Sequence, residues 1–151
     1  MDQWGHHTRG WWGAYQLTMT PAEILSFLPY GAPFKFVDEL SEVSEEGVIG
    51  SYRFSRNEYF YQGHFKDLPV TPGVILTEVM AQIGVVCLGI YLLQGTLDQG
   101  NLRIAMTSSE VDFFLPVHPG EQVRVTSRKE YFRFNKLKCG VEMRNEKNRL
   151  V

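Results

Sequence analysis

YQGHFKDLPVTPGVILTEVMAQIGVVCLGIYLL, residues 61–93, is the stretch on which the fold turns. It opens as a loop with one histidine, His64, and three strong breakers, Pro69, Pro72 and Gly73. It then runs from Val74 to Leu93 almost without interruption as apolar residues, holding one carboxylate, Glu78, and one amide, Gln82. At ~1.5 Å per residue the run is about 30 Å long as a helix, enough to cross a bilayer. It lacks the cationic flank of a membrane span, because no Lys or Arg lies between Lys66 and Arg103. A glutamate one turn inside lipid would also be costly. The run is therefore expected to be the buried central helix of a water-soluble domain, not a membrane span. A helix apolar on all sides needs a wrapper, and the rest of the chain supplies strands.

Chemistry is expected at the helix start. Pro72 and Gly73 suit a first turn whose free N–H groups and positive dipole end face outward. Glu78 and Gln82 are four residues apart and share a face. A loop histidine is usually solvated, and a glutamate near a helix start often only complements the dipole. A carboxylate among apolar helix positions asks for more, because an unpaired charge there is costly.

GHFKDLPVTPGVILTEVMAQ resembles the signature of the β-hydroxyacyl-acyl carrier protein dehydratases, a family with the hotdog fold that works in type II fatty acid or related polyketide synthesis. Gly63, His64, Phe65, Pro69, Val70, Pro72, Gly73, Val74, Glu78, Ala81 and Gln82 match its pattern position by position. The chain departs from it at Lys66-Asp67, where the family has Pro-Gly, and carries Tyr30 where a histidine is common. Upstream ILSFLPYGAPFKFVDEL and downstream FFLPVHPGEQVRV are similar to further family segments, so the likeness spans about Met19 to Val151.

Outward from the motif, the chain of 151 residues, 44% hydrophobic and 13% aromatic, suits one domain over residues 19–151. Residues 1–18 show no period and no signal-peptide pattern and read as an expression-derived or poorly ordered leader. Its His6-His7 pair lacks partners for a metal. Two cysteines, Cys87 and Cys139, give no disulfide framework and suit a reducing cytoplasm. Thr20, Pro21 and Glu23 form a capping box for a short helix ending near Leu28. Strands are expected at Pro33–Leu40, Glu46–Ser55, Glu121–Asn135 and Leu137–Arg144, with an acidic turn at Ser41–Glu45. Leu102–Phe114 is also rich in strand formers. The expected class is α+β, an antiparallel β-sheet wrapped around a long central α-helix, and it agrees with the hotdog fold that the resemblance implies. The family has a further strand where this sequence reaches Leu150-Val151, which implies truncation or an end exchanged with a partner's.

Charge is uneven: residues 1–100 hold five Lys/Arg against eleven Asp/Glu, and residues 101–151 ten against six. So modest a bias, with no basic groove, argues against nucleic acid. Arg124, Arg128, Lys129, Arg133, Lys136 and Lys138 are either solvated strand faces or a docking patch for an acidic acyl carrier protein.

The resemblance implies dehydration of a β-hydroxyacyl thioester to the trans-2-enoyl thioester. A histidine suits removal of the α-proton, so His64 is the expected base and Glu78 the acid that protonates the leaving hydroxyl. N–H groups at Gly73 and Val74 would receive the enolate oxygen, with Gln82 and Phe65 positioning the substrate. The family further implies a homodimer, or a trimer of dimers, whose sites draw histidine and glutamate from different subunits. No metal or cofactor is called for, because phosphopantetheine arrives with the substrate. A hotdog thioesterase, using its carboxylate to activate water, and a non-catalytic acyl-carrier-binding module are the other two classes open to these residues.

Overall fold

In the computed structural model of the chain, residues 18–98 and 102–151 are described. The expected leader, including His6-His7, lies outside them except for Thr18. Helix α1, Pro21–Ser26, starts on the expected box: the Glu23 N–H donates to Thr20 Oγ1 at 3.3 Å and the Thr20 N–H to Glu23 Oε2 at 2.7 Å. The Thr20 N–H and hydroxyl, both donating to the Glu23 carboxylate, hold it below its ordinary value. Ile24 anchors α1 in the core.

Four strands, β1 (Glu39–Ser44), β2 (Gly47–Arg53), β3 (Gln122–Arg133) and β4 (Lys136–Asn145), form one antiparallel sheet in that order. Alternation decides which face is buried. Val48 and Tyr52 of β2, Val123, Val125 and Ser127 of β3 and Met143 of β4 turn inward, while Arg124, Thr126 and Arg128 turn out.

Across the inner face lies the central helix α2, Gly73–Leu92. Its length and apolarity would let it span a bilayer, but Ile75, Leu76, Val79, Ile83, Val86, Leu88 and Ile90 are buried within the chain. Each such side chain contributes about 1.5–3 kcal/mol. Helix and sheet are in close contact at Gly84, where an added methyl would meet Val141 Cγ1 at 3.0 Å and Ser127 Cβ at 3.1 Å. Five residues of α2, Gln82–Val86, form a π-helical turn, a form frequent at functional sites.

Three expected elements differ. Pro33–Leu40 is not a strand, and regular pairing starts only at Glu39. The backbone groups of Phe34 and Phe36 that a ladder would use bond instead to the side chain of the distant Gln82. The Ser41–Glu45 segment is mostly strand, because β1 continues to Ser44 through an irregularity between Leu40 and Glu42 and turns only at Glu45-Glu46. Leu102–Phe114 has strand composition but belongs to no ladder. Nothing in the segment finds a ladder neighbour among the described residues; at its end the Phe114 and Leu115 N–H groups both donate to Val151 O, at 2.6 and 3.0 Å.

Candidate active site at the helix start

The loop before α2 is tied at two levels. The Tyr61 and Thr71 hydroxyls, both buried, bond at 2.7 Å, and the Thr71 N–H donates to Val117 O at 2.8 Å. Above them, the Val70 N–H donates to His64 O at 3.0 Å, while His64 Nδ1 lies 2.9 Å from Val70 O. A carbonyl can only accept, so Nδ1 carries the proton and, in the neutral ring, Nε2 keeps its lone pair. The Phe65 ring stacks on the imidazole with centroids 4.1 Å apart and a 25° tilt. His64 is half-buried, whereas Phe65, Lys66, Asp67 and Leu68 form an exposed loop tip.

Gly73 and Val74 open α2. Their amides have no hydrogen-bond acceptor among the described residues, whereas those of Ile75 and Leu76 donate to Pro72 O. Gly73 is a place where only hydrogen fits easily, since a methyl would come within 3.1 Å of the Phe113 ring. Val74 points out and is 76% exposed.

Glu78, half-buried, accepts a hydrogen bond from Gln82 Nε2 at 2.8 Å. Gln82 is completely buried and is also bound by the chain before β1: Nε2 donates to Phe34 O at 2.9 Å, and Oε1 accepts from the Phe36 N–H at 2.8 Å. The amide therefore cannot rotate without breaking a backbone bond, and it fixes the carboxyl it touches. His64 and Glu78 are not hydrogen-bonded to each other within the chain. Gln82 thus meets Glu78 in the chain, Phe65 meets His64, and the two pairs remain separate.

Tyr30 joins this neighbourhood without having been singled out as a site residue. Burial raises its phenol above the ordinary value, and the Glu78 carboxylate and Cys87 add to the rise. Its ring packs on Phe34, the residue whose carbonyl Gln82 holds. The only signal in the sequence was a tyrosine where the resembled family commonly has histidine. The two thiols are not nucleophile candidates: burial pushes Cys87 up to about 12 and Cys139 up to about 11. Among the described residues, no cluster of three or more His, Cys, Asp or Glu side chains could hold a metal ion.

Of the six candidate docking cations, the strand registers place Arg124, Arg128, Arg133, Lys136 and Lys138 on the outer face of β3 and β4, while Lys129 pairs with Cys139 on the inner side. Arg124 and Arg128 are exposed on the sheet's outer face, with no ion pair among the described residues. Lys129 approaches Glu46 at 3.9 Å, and Lys138 is held by Glu130 at 2.8 Å. Arg133 and Lys136 face one another across the end of the β3–β4 hairpin.

Comparison with known proteins agrees with this geometry. Residues 28–142 match the model of the FabA-like domain, a span that contains His64, Glu78, Gln82 and all of the sheet but the last three residues of β4. The 3-hydroxyacyl-(acyl-carrier-protein) dehydratase FabZ of Acinetobacter baylyi is 36% identical over 107 residues, covering 71% of this chain and 72% of that protein. The protein of the same name from Magnetococcus marinus is 38% identical over 122 residues, 74% of this chain and 76% of its own. That of Rhodospirillum rubrum is 38% identical over 119 residues, covering 78% and 73%. The antiparallel sheet wrapped on one long helix is the hotdog fold of these proteins, and the chain belongs to the FabA-like domain family.

Proposed function

We propose that the chain dehydrates a 3-hydroxyacyl thioester presented by an acyl carrier protein, giving the trans-2-enoyl thioester and water. The observation that carries this reading is the bond from His64 Nδ1 to Val70 O, which leaves Nε2 as the free base at the mouth of α2. Nε2 takes the α-proton, and electron density moves onto the thioester oxygen, which the Gly73 and Val74 N–H groups stabilise. The C–O bond at the β-carbon then breaks as Glu78 protonates the departing hydroxyl. Gln82 holds the Glu78 carboxyl towards that oxygen, and the stacked Phe65 ring limits how far the imidazole can swing. Thioester hydrolysis is not favoured, since the dehydratase relatives share most of the chain.

The functional unit is a homodimer, or a trimer of dimers, in which the base of one chain meets the acid of another. Phe65, Leu68, Val74, Phe113 and Phe114 are all exposed, and several of them border the helix start, an apolar rim that a second copy would cover. The absence of a His64–Glu78 bond within one chain supports the same arrangement. A cytoplasmic location suits the two free thiols.

Of the six cations considered for the carrier, this reading retains Arg124, Arg128, Arg133 and Lys136, which are exposed on the sheet's outer face without an ion pair among the described residues. A panel of 3-hydroxyacyl carrier thioesters, with enoyl product and free thiol followed together, tests the reaction. Enoyl product without thiol release is expected, and thiol release alone would refute dehydration. Salt should lower kcat/KM for carrier-bound substrate more than for a short pantetheine thioester of the same acyl group. Arg124→Glu with Arg128→Glu should reproduce that difference at low salt, and parallel behaviour of the two substrates would remove these arginines from docking.

A further inference from the structure

The chain between α1 and β1 runs over the catalytic end of α2, and Gln82 holds it there. One nitrogen, Gln82 Nε2, donates both to Phe34 O at 2.9 Å and to Glu78 Oε1 at 2.8 Å. The Phe34 backbone and the Glu78 carboxyl are therefore neighbours across a single atom. A file of rings passes through this point. Phe34 packs on Phe36 with centroids 5.1 Å apart, Phe36 on Tyr52 at 5.5 Å and Tyr52 on Phe54 at 5.0 Å. The file continues through Phe60 to Tyr61. In the other direction it ends on Tyr30, whose ring lies 6.4 Å from Phe34. Half-buried against the core, Tyr30 is placed by the same residues that fix Glu78.

The three tyrosines of the file differ in what their hydroxyls do. Tyr52 donates to Glu58 Oε1 at 2.7 Å, and Tyr61 shares a 2.7 Å bond with Thr71 Oγ1. The Tyr30 hydroxyl has no hydrogen-bond partner among the described residues. Burial, and then the Glu78 carboxylate, keep this phenol protonated, so it is a donor without an acceptor. Glu78 does not serve as that acceptor: Gln82 takes Oε1, and no bond joins the tyrosine to the carboxyl. A donor left unpaired at a half-buried position is costly unless a ligand brings the missing oxygen.

The reaction brings one. As the C–O bond at the β-carbon breaks, the departing oxygen accepts the Glu78 proton through one lone pair and keeps a second. We propose that the Tyr30 hydroxyl donates to this second lone pair, holding the β-oxygen against Glu78 and stabilising the charge that builds on it as the bond breaks. Glu78 gives up its proton, water leaves, and Tyr30 keeps its own proton throughout. Both groups belong to one chain, so the contact is the same whichever subunit supplies the base. The inference rests on the dehydration assigned above.

Tyr30→Phe tests it, because the ring and its packing on Phe34 are kept and only the donor is lost. Dehydration of a 3-hydroxyacyl pantetheine thioester would be followed beside inhibition by the saturated acyl thioester of equal length, which has no β-oxygen. The variant should lose about tenfold in kcat, the effect of one hydrogen bond, while the inhibition constant of the saturated thioester stays within twofold. A kcat within twofold of wild type would overturn the proposal. So would a saturated thioester bound more weakly by the same factor, since the tyrosine would then only shape the site. The two readings fail separately: an unaffected Tyr30→Phe beside an inactive Glu78→Gln removes Tyr30 alone, whereas wild-type protein that does not dehydrate removes both.

Discussion

The two ends of α2 differ in how their side chains are held. At the start, polar groups are fixed by partners inside the chain: Gln82 makes three bonds, His64 is fastened to Val70, and Tyr61 is fastened to Thr71. At the far end, the hairpin exposes Phe134 and presents Arg133 and Lys136 without ion pairs among the described residues. The contrast separates two kinds of functional surface. Chemistry needs groups held to within a fraction of an ångström, and buried hydrogen bonds supply that.

The sharpest way to break this comparison is to exchange its terms. His64→Ala and Glu78→Gln should each lower kcat at least ~10²-fold with folding retained, whereas Arg133→Glu with Lys136→Glu should leave turnover of a short pantetheine thioester within about twofold. Steady-state assays beside circular dichroism decide it. Turnover that followed the hairpin charges would merge the two ends into one site.

Gln82→Leu probes the fastening itself. It strands the buried Phe36 N–H and Phe34 O and frees Glu78, so stability should fall by roughly 2–4 kcal/mol and kcat by about tenfold. Urea unfolding and kcat measured on one preparation separate the two effects. A loss of stability without loss of kcat would show that the amide serves the fold alone.

Between the ends, Gly84 lies directly against the sheet. Gly84→Ala pushes a methyl to 3.0 Å from Val141 and should cost about 1–3 kcal/mol, read as a lower urea midpoint at unchanged slope. The smallest expected effect has the opposite sign. Phe134→Asn relieves a positive φ and should raise stability by up to about 1 kcal/mol. Stability lost on that substitution would mean that the ring packs within the folded chain.

Much of the catalytic end was legible in the sequence because its signals are local. Pro72-Gly73, the apolar run and the lone Glu78 and Gln82 state a helix start and its face without reference to distant residues. Thr20-Pro21 with Glu23 did the same for α1. What was not legible depends on partners far along the chain. Pro33–Leu40 has strand composition, but Gln82, more than forty residues on, takes its backbone groups. Leu102–Phe114 also has strand composition, yet a strand exists only where a neighbour pairs with it. Among the six cations, the ion pairs of Lys129 and Lys138 were not legible, because Glu46 and Glu130 come beside them only through strand pairing.

Complementation between two inactive variants tests the central claim most directly. His64→Ala and Glu78→Gln proteins, each inactive alone, would be mixed under conditions that exchange subunits, and 3-hydroxyacyl thioester dehydration would then be measured. If the base of one chain works with the acid of another, each mixed dimer regains one intact site, and random exchange should restore about a quarter of wild-type activity. Verified mixed dimers with no recovered dehydration, or full activity in either variant alone, would contradict it.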